Sequence, residues 1–354
     1  MSSLNVQRVA QFQAYGEPVK IITDHPVPDP ATLSPNECLV KMEYAGVCHS
    51  DVHARDGDMS LKPTLPRIGG HEGVGTVVAI GAGTAHSPVK IGDRVGLKFF
   101  ARKCMGCELC RNDSGAGCAS TAIHGFTVDG TFAEYAVSWT NYVTPIPDSL
   151  DSATAAPFLC AGVTVYKALK RINPQSGDWI AIPGAGGGLG HLAVQYARNM
   201  GFRVIAIDSG KEKRELCLSL GAEKWVDFRE SGTNLVADVM AASDGKGPHA
   251  ALVTAGTPIP YTQALLYLRF GGTLVGVGVP SNATLNVSFE ILIGKEIKII
   301  GSAVGSLQDA VEALDYAAKG KVKCQYTVRQ LEDLESVIAD LKRGDVAGRV
   351  VLKL

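Results

Sequence analysis

The run CMGCELCRNDSGAGC places Cys104, Cys107, Cys110 and Cys118 within fifteen residues. Three thiolates at C-x-x-C-x-x-C spacing, with a fourth eight positions on, suit one tetrahedral zinc with a complete ligand shell. Such a site holds a loop together without a hydrophobic core and keeps no position open for chemistry. Two disulfides are the competing arrangement, but MSSLNVQRVAQFQAYG lacks the charged-then-apolar pattern of a secretory leader. A closed zinc site directs attention to other ligands. Cys48 in GVCHSDVH, His71 in GGHEGVG and Cys160 in FLCAGVT are zinc-ligand types from three distant segments. Two thiolates and an imidazole would leave the fourth position for water or substrate, as in catalytic zinc sites. Taken singly, each has a plainer reading: a lone buried cysteine behaves as a small apolar core residue, and His71 could be a hydrogen-bonded histidine between turns. Spacing alone does not unite them.

A second kind of chemistry is written in WIAIP (Trp179–Pro183), which runs into GAGGGLG (Gly184–Gly190) and then a helix-like LAVQYARNMG. Glycines let the backbone turn tightly and approach a pyrophosphate, and the helix N-terminus adds free N–H groups and a positive dipole end. A glycine-rich loop is a weak signal alone; between a strand and a helix it is a strong one. The spacing departs from a plain G-x-G-x-x-G, since Ala185 holds the first glycine position and Gly184 comes one residue earlier. Gly187 and Gly190 read as the close-approach and helix-packing glycines, with Gly184, Gly186, Gly188 and Leu189 completing the cradle. Asp208 ends the next strand, eighteen residues after Gly190. A carboxylate there accepts from both adenosine ribose hydroxyls and repels a 2′-phosphate, which favours NAD over NADP. Lys211, Lys213 and Arg214 nearby soften that preference, and Lys213 is a candidate ribose contact.

The elements that must position these groups divide the chain. The 354 residues suit two domains. Before Cys160, short β-rich runs alternate with Gly and Pro turns: Glu37–Tyr44, Gly73–Gly81, Asp93–Leu97 and Thr131–Val137. After it, apolar strands alternate with amphipathic helices in a βαβαβα pattern, which predicts a parallel sheet covered on both faces. Helices are expected over Leu189–Met200, Lys211–Leu220, Asn234–Ala242 and Tyr261–Phe270, and after KIIGSAVG over Leu307–Lys319 and Leu331–Lys342. The closing strand GRVVLKL belongs with the first domain. Net charge is −1, which supplies no field for nucleic acid or an anionic membrane. No apolar run reaches the roughly 18 residues of a spanning helix. Nine cysteines without a leader point to a reducing, cytoplasmic setting.

Together, and in this order along the chain, CHSDVH, GHEGVG, the cysteine cluster, CAGVTVYKAL and the glycine loop resemble the zinc-containing medium-chain alcohol dehydrogenases, in particular their yeast and fungal ethanol-type branch. The resemblance covers essentially the whole chain. It implies an α/β protein: a GroES-like β-rich catalytic domain with a structural zinc lobe, residues 1–158 and 300–354, around a Rossmann doubly wound NAD-binding domain, residues 159–299. It implies two zinc ions per subunit, with Cys48, His71 and Cys160 on the catalytic one and Cys104, Cys107, Cys110 and Cys118 on the structural one. Glu72 is then the carboxylate that approaches the metal during ligand exchange, and Asp51 the acceptor that orients His71. Zinc lowers the pKa of a bound alcohol, and the nicotinamide takes a hydride. Ser50 would stand beside the substrate oxygen and pass the proton by way of the cofactor ribose to His53, which can exchange it with solvent. His49 and Arg349 correspond to pyrophosphate contacts, and Thr164 to a neighbour of the carboxamide.

The chain departs from that branch where two tryptophans narrow the ethanol pocket: Met59 and Phe99 stand there. A roomier pocket for longer or aromatic primary alcohols and their aldehydes follows. The alternative within the family is a reductase acting mainly on bulky or aromatic aldehydes. Polyol dehydrogenases commonly carry glutamate where Cys160 stands. A nucleic-acid-binding zinc ribbon would need more basic and aromatic flanks than Arg102, Lys103 and Arg111 provide. The absence of a long insertion found in some dimeric animal relatives favours a homotetramer working on a small alcohol or aldehyde, with no nucleic-acid or membrane partner.

Overall fold

A computed structural model describes residues 6–111 and 117–354. The chain forms two compact units. One comprises Met1–Cys160, Ser306–Ala318 and Tyr326–Leu354, and the other Ala161–Gly305 and Lys319–Gln325.

The second unit grows from Trp179–Pro183, five consecutive buried residues. A strand covered on both faces by helices reads as such a continuous apolar run rather than an alternation. Six parallel strands lie in the order Lys224–Asp227, Arg203–Asp208, Trp179–Pro183, Ala250–Val253, Thr273–Gly276, Lys298–Gly301. Ile180 is registered with Val204 on one side and Ala250 on the other. The order reverses beside Trp179–Pro183, and the crevice at the carboxyl ends of such strands is where open α/β sheets take ligands. The glycine loop leaves this strand at that end. On one face Trp179 and Ala181 join Leu235, Val239, Ala264 and Leu265 in a core cluster. The helix Gly190–Asn199 contacts the same strand and buries Leu192, Ala193, Val194, Tyr196 and Ala197. Helix Ala161–Ile172 packs on it, with the Tyr166 and Tyr196 rings 5.4 Å apart.

The first unit is built on the eleven-residue strand Glu37–Val47. Its early half pairs with Tyr135–Trp139, its late half with the C-terminal strand Arg349–Lys353, and its other edge with Gly73–Ile80, all antiparallel. Cys38, Val40, Met42, Val77, Val95 and Leu97 fill the core beneath it. The strand expected over Thr131–Val137 runs instead over Tyr135–Trp139. Thr131 and Phe132 spend their N–H groups on Gly70 and Gly69, which starts the ladder later. Among the described residues no helix is long and apolar enough to cross a membrane.

Two glycines of the loop differ in what the surrounding protein requires. A Cβ on Gly190 would collide with the Gly184 carbonyl and the Ala185 backbone, whereas one on Gly187 would meet only the Gly184 oxygen at 3.4 Å. Gly190→Ala should therefore destabilise the fold by about 1–3 kcal/mol through overpacking, read as a lowered melting temperature. Gly187→Ala should leave the melting temperature near that of the parent.

Candidate functional site

Three strand ends meet in the first unit. Glu37–Val47 runs directly into Cys48. Because Gly73 lies opposite Ala45, His71 and Glu72 fall beside the end of that strand, and the Gly46 N–H donates to the Glu72 carbonyl at 2.9 Å. Val350 lies opposite Val47, which sets Arg349 next to Cys48. Cys160 follows the fully buried turn Ala156–Leu159, which packs on the same strands. Gly46 is glycine for a local reason: any Cβ there would occupy the space of the Glu72 carboxylate.

The result is a buried group in which ligand atoms of Cys48, His71, Glu72 and Cys160 lie within 4.8 Å of one another. The Cys48 and Cys160 sulfurs are 3.9 Å apart. That is far beyond a disulfide bond and close to the roughly 3.8 Å edge of a tetrahedron with zinc–sulfur bonds of about 2.3 Å. Cys48 precedes the helix His49–Asp56, and Asp51 on its first turn does two things. Its Oδ2 accepts the Cys48 N–H at 2.8 Å, and its Oδ1 lies 3.0 Å from Nδ1 of His71. A carboxylate accepts only, so Nδ1 carries a proton, and Nε2 is the nitrogen that offers a lone pair inward when the ring is neutral. Nε2 is buried and has no hydrogen-bond partner among the described residues. An orphaned imidazole nitrogen facing two thiols is the donor set a zinc ion requires.

The ionisable groups of the site shift one another strongly. The hydrogen bond with Cys160 pulls the Cys48 thiol well below its ordinary value, and the same contact pushes Cys160 well above. Burial pushes His71 down, but the charge and hydrogen bond of Asp51 outweigh it and hold the imidazole well above its usual range. Burial raises Glu72 to about 7 against the pull of Arg349. Arg349 donates to Glu72 Oε1, and Glu72 Oε1 is 3.9 Å from Nε2 of His71. Arg349, expected at the cofactor phosphates, is thus buried against Glu72. Its Nε has no hydrogen-bond partner among the described residues.

Of the other expected residues, Ser50 places its Oγ 3.7 Å from the Cys48 sulfur. His53 lies in the same helix, its Nδ1 2.9 Å from Asp58 and its ring 5.4 Å from that of His49, which is exposed. Phe99 sets its ring edge-on to His71 at 5.3 Å. Met59 is half-buried just beyond the helix. The second cluster, Cys104, Cys107, Cys110 and Cys118, also keeps its sulfurs within 4.8 Å of one another. The Cys107 N–H donates to the Cys104 sulfur at 3.3 Å, and Cys104 and Cys110 stand 4.0 Å apart. All four are free thiols.

In the second unit the glycine loop is tied down by Asp208. Its Oδ2 accepts the Gly186 N–H at 2.9 Å, and its Oδ1 accepts from Ser209 N–H at 2.9 Å and Lys213 Nζ at 3.3 Å. Gly184 adopts a left-handed φ of 83°, open to glycine, and starts the turn. Leu189 is the residue before the helix, Gly188 is half-buried, and Thr164 is buried in Ala161–Ile172.

A zinc-binding dehydrogenase family model matches residues 188–319, and an alcohol dehydrogenase GroES-like domain model matches residues 34–148. An alcohol dehydrogenase of Schizosaccharomyces pombe is 44% identical over 349 residues, covering 98% of both chains. The chain belongs to the zinc-binding alcohol dehydrogenase family. Alcohol dehydrogenase 1 of Emericella nidulans is 45% identical over 330 residues, 93% of each chain. The crystal structure of an alcohol dehydrogenase from Aeropyrum pernix superposes with a TM-score of 0.88 at 30% identity, covering 98% of this chain and 100% of that one. The two units are accordingly a GroES-like domain and a Rossmann-type domain.

Three contacts have no sequence signal that would have exposed them: Asp51 on the Cys48 amide, Asp58 on His53, and Glu72 on Arg349. Carboxylates orienting ligating histidines are worth 10–100-fold in metal affinity. Asp51→Asn should accelerate zinc release to a chromophoric chelator from one site by about that factor, while release from the four-cysteine site keeps its parental rate.

Proposed function

We propose that this zinc-family alcohol dehydrogenase oxidises primary alcohols to aldehydes with NAD, and runs in reverse, on substrates bulkier than ethanol. The reading rests on one observation: a buried imidazole nitrogen without a hydrogen-bond partner among the described residues, grouped with two sulfurs 3.9 Å apart. Cys48, His71 and Cys160 would hold the catalytic zinc, and Cys104, Cys107, Cys110 and Cys118 a structural one, two ions per subunit. When bound, zinc acts as a Lewis acid on the alcohol oxygen and NAD accepts the hydride from its carbon. The side chains supply the rest. Asp51 fixes the tautomer of His71. Ser50 Oγ would accept the proton of the alcohol while giving up its own, by way of the cofactor ribose, to His53, which is held at Nδ1 by Asp58 and would release it to solvent. Glu72, neutralised by Arg349, stays near enough to the ligands to substitute for one during exchange.

On the cofactor side, Gly184, Gly186, Gly187, Gly188, Leu189 and Gly190 cradle the pyrophosphate. His49 and the unpaired Nε of Arg349 are further phosphate donors, and Thr164 serves the carboxamide. Asp208 has lone pairs left for ribose hydroxyls beyond the three bonds it accepts, and Lys213 beside it steadies the same sugar. We take the unit Ala161–Gly305 with Lys319–Gln325 as the cofactor domain and the unit Met1–Cys160 with Ser306–Ala318 and Tyr326–Leu354 as the catalytic one, where the sequence alone suggests 159–299 and 1–158 with 300–354. A homotetramer in the cytoplasm fits the open sheet edge: Ile299 on the last strand and Phe289 and Ile293 before it are exposed, as expected of a surface covered by another copy.

Met59 and Phe99 set the substrate range. A panel of ethanol, hexanol and benzyl alcohol with NAD and NADP, read by cofactor absorbance, should give NAD-linked turnover with kcat/KM for the larger alcohols at least equal to that for ethanol. An ethanol preference of about 10-fold or more per added group would contradict the wide pocket. His53→Gln should lower kcat at neutral pH by at least about 10-fold with zinc content unchanged.

A further inference from the structure

The helix Gly190–Asn199 carries His191, Gln195 and Asn199 at steps of four, one above another on a single face. All three bind the backbone of residues 321–325, a strap within the same compact unit. Asn199 Nδ2 donates to the Lys321 carbonyl at 2.9 Å. Gln195 clamps Lys323 from both sides, its Nε2 donating to the carbonyl and its Oε1 accepting the N–H, each at 2.8 Å. At the top rung, the Gln325 N–H donates to Nε2 of His191 at 3.2 Å. That nitrogen must then be bare, so the neutral ring carries its proton on Nδ1. Nδ1 stands 2.9 Å from the Gly187 carbonyl, which also accepts the His191 N–H at 3.0 Å. The side chain is fully buried.

The held carbonyl belongs to the glycine loop. Its peptide is planar and trans, so fixing the Gly187 C=O fixes the Gly188 N–H on the opposite side. Side-chain packing adds little to the two backbone hydrogen bonds of Gly187, since even a Cβ there would meet just the Gly184 oxygen at 3.4 Å. Glycine backbone left free must be ordered when a ligand arrives, at an entropic cost to affinity. We propose that His191 is a positioning residue for the pyrophosphate of the dinucleotide: its Nδ1–H fixes the Gly187–Gly188 peptide, aiming the Gly188 N–H at the phosphate position in advance, while the 321–325 strap locks the ring through Nε2. This rests on the reading of the loop as the NAD cradle. The strap thereby reaches the cofactor through a single buried ring.

The test uses the full-length, zinc-loaded protein. NADH binding is measured by its fluorescence, and ADP-ribose and adenosine by competition against it. His191→Leu should weaken NADH and ADP-ribose about 5- to 20-fold, the scale of one or two lost neutral hydrogen bonds, and leave adenosine, which has no phosphate, within about twofold. His191→Asn, whose amide lies near the place of Nδ1, should restore most of the affinity. His191→Gln, whose amide lies nearer the place of Nε2, should not, and this pair decides the matter if the leucine variant fails to fold. Equal weakening of adenosine, unchanged NADH affinity in His191→Leu, or rescue by glutamine rather than asparagine would overturn the proposal. Wild-type protein that takes up no NADH would instead overturn the cofactor reading beneath it.

Discussion

One carboxylate holds the candidate site together. Asp51 reaches the backbone N–H of Cys48 with one oxygen and Nδ1 of His71 with the other. These two residues are twenty-three positions apart in the chain, brought side by side by the pairing of Glu37–Val47 with Gly73–Ile80. Through Asp51 the imidazole is forced to offer Nε2, and the cysteine is fixed at the start of a helix. The chain builds around this pairing with the ends of antiparallel strands, so that Cys48, His71, Glu72 and Arg349 emerge at one level of the sheet.

The buried Glu72–Arg349 pair is the second constraint. Taking two charges out of water is costly, and removing one partner of such a pair typically costs about 3–5 kcal/mol because the other is left uncompensated. The arrangement exists because Gly46 vacates the space for the carboxylate and because the last strand delivers Arg349 beside Cys48. It leaves Glu72 raised in pKa by burial, close to the ligand atoms, and paired with a cation that retains one unpartnered N–H. A pair placed in this way ties the C-terminal strand energetically to the metal site.

The strands of the parallel sheet were legible because burial on both faces leaves a plain apolar signature: Trp179–Pro183 has the same limits in sequence and structure, and Asp208 ends the next strand in both. The glycine loop was legible because its strand and helix flank it. The helix His49–Asp56 was not, since its buried residues include Asp51 and Arg55, held by ion pairs and hydrogen bonds that hydrophobic periodicity does not register. The Val6–Phe12 and Lys20–Pro26 pair also escaped, since Gln7 is buried to bind the backbone N–H of Tyr135 and interrupts the apolar pattern. In the site, ligand types were visible but their convergence was not; the family resemblance supplied it, and the three-dimensional packing gives the physical reason. The ladder on the Gly190–Asn199 helix stayed hidden because its partners are main-chain groups about 125 residues away, which carry no side-chain signature.

The central claim is that two sulfurs and one imidazole converge on an ion distinct from the four-cysteine one. Zinc-edge X-ray absorption on the purified protein, with metal content measured on the same sample, addresses it most directly. The account predicts two ions per chain sharing six sulfurs and one imidazole nitrogen from the two clusters, with the nitrogen signal lost in His71→Ala. A single ion per chain in a purely four-sulfur shell, in fully active protein, would contradict it.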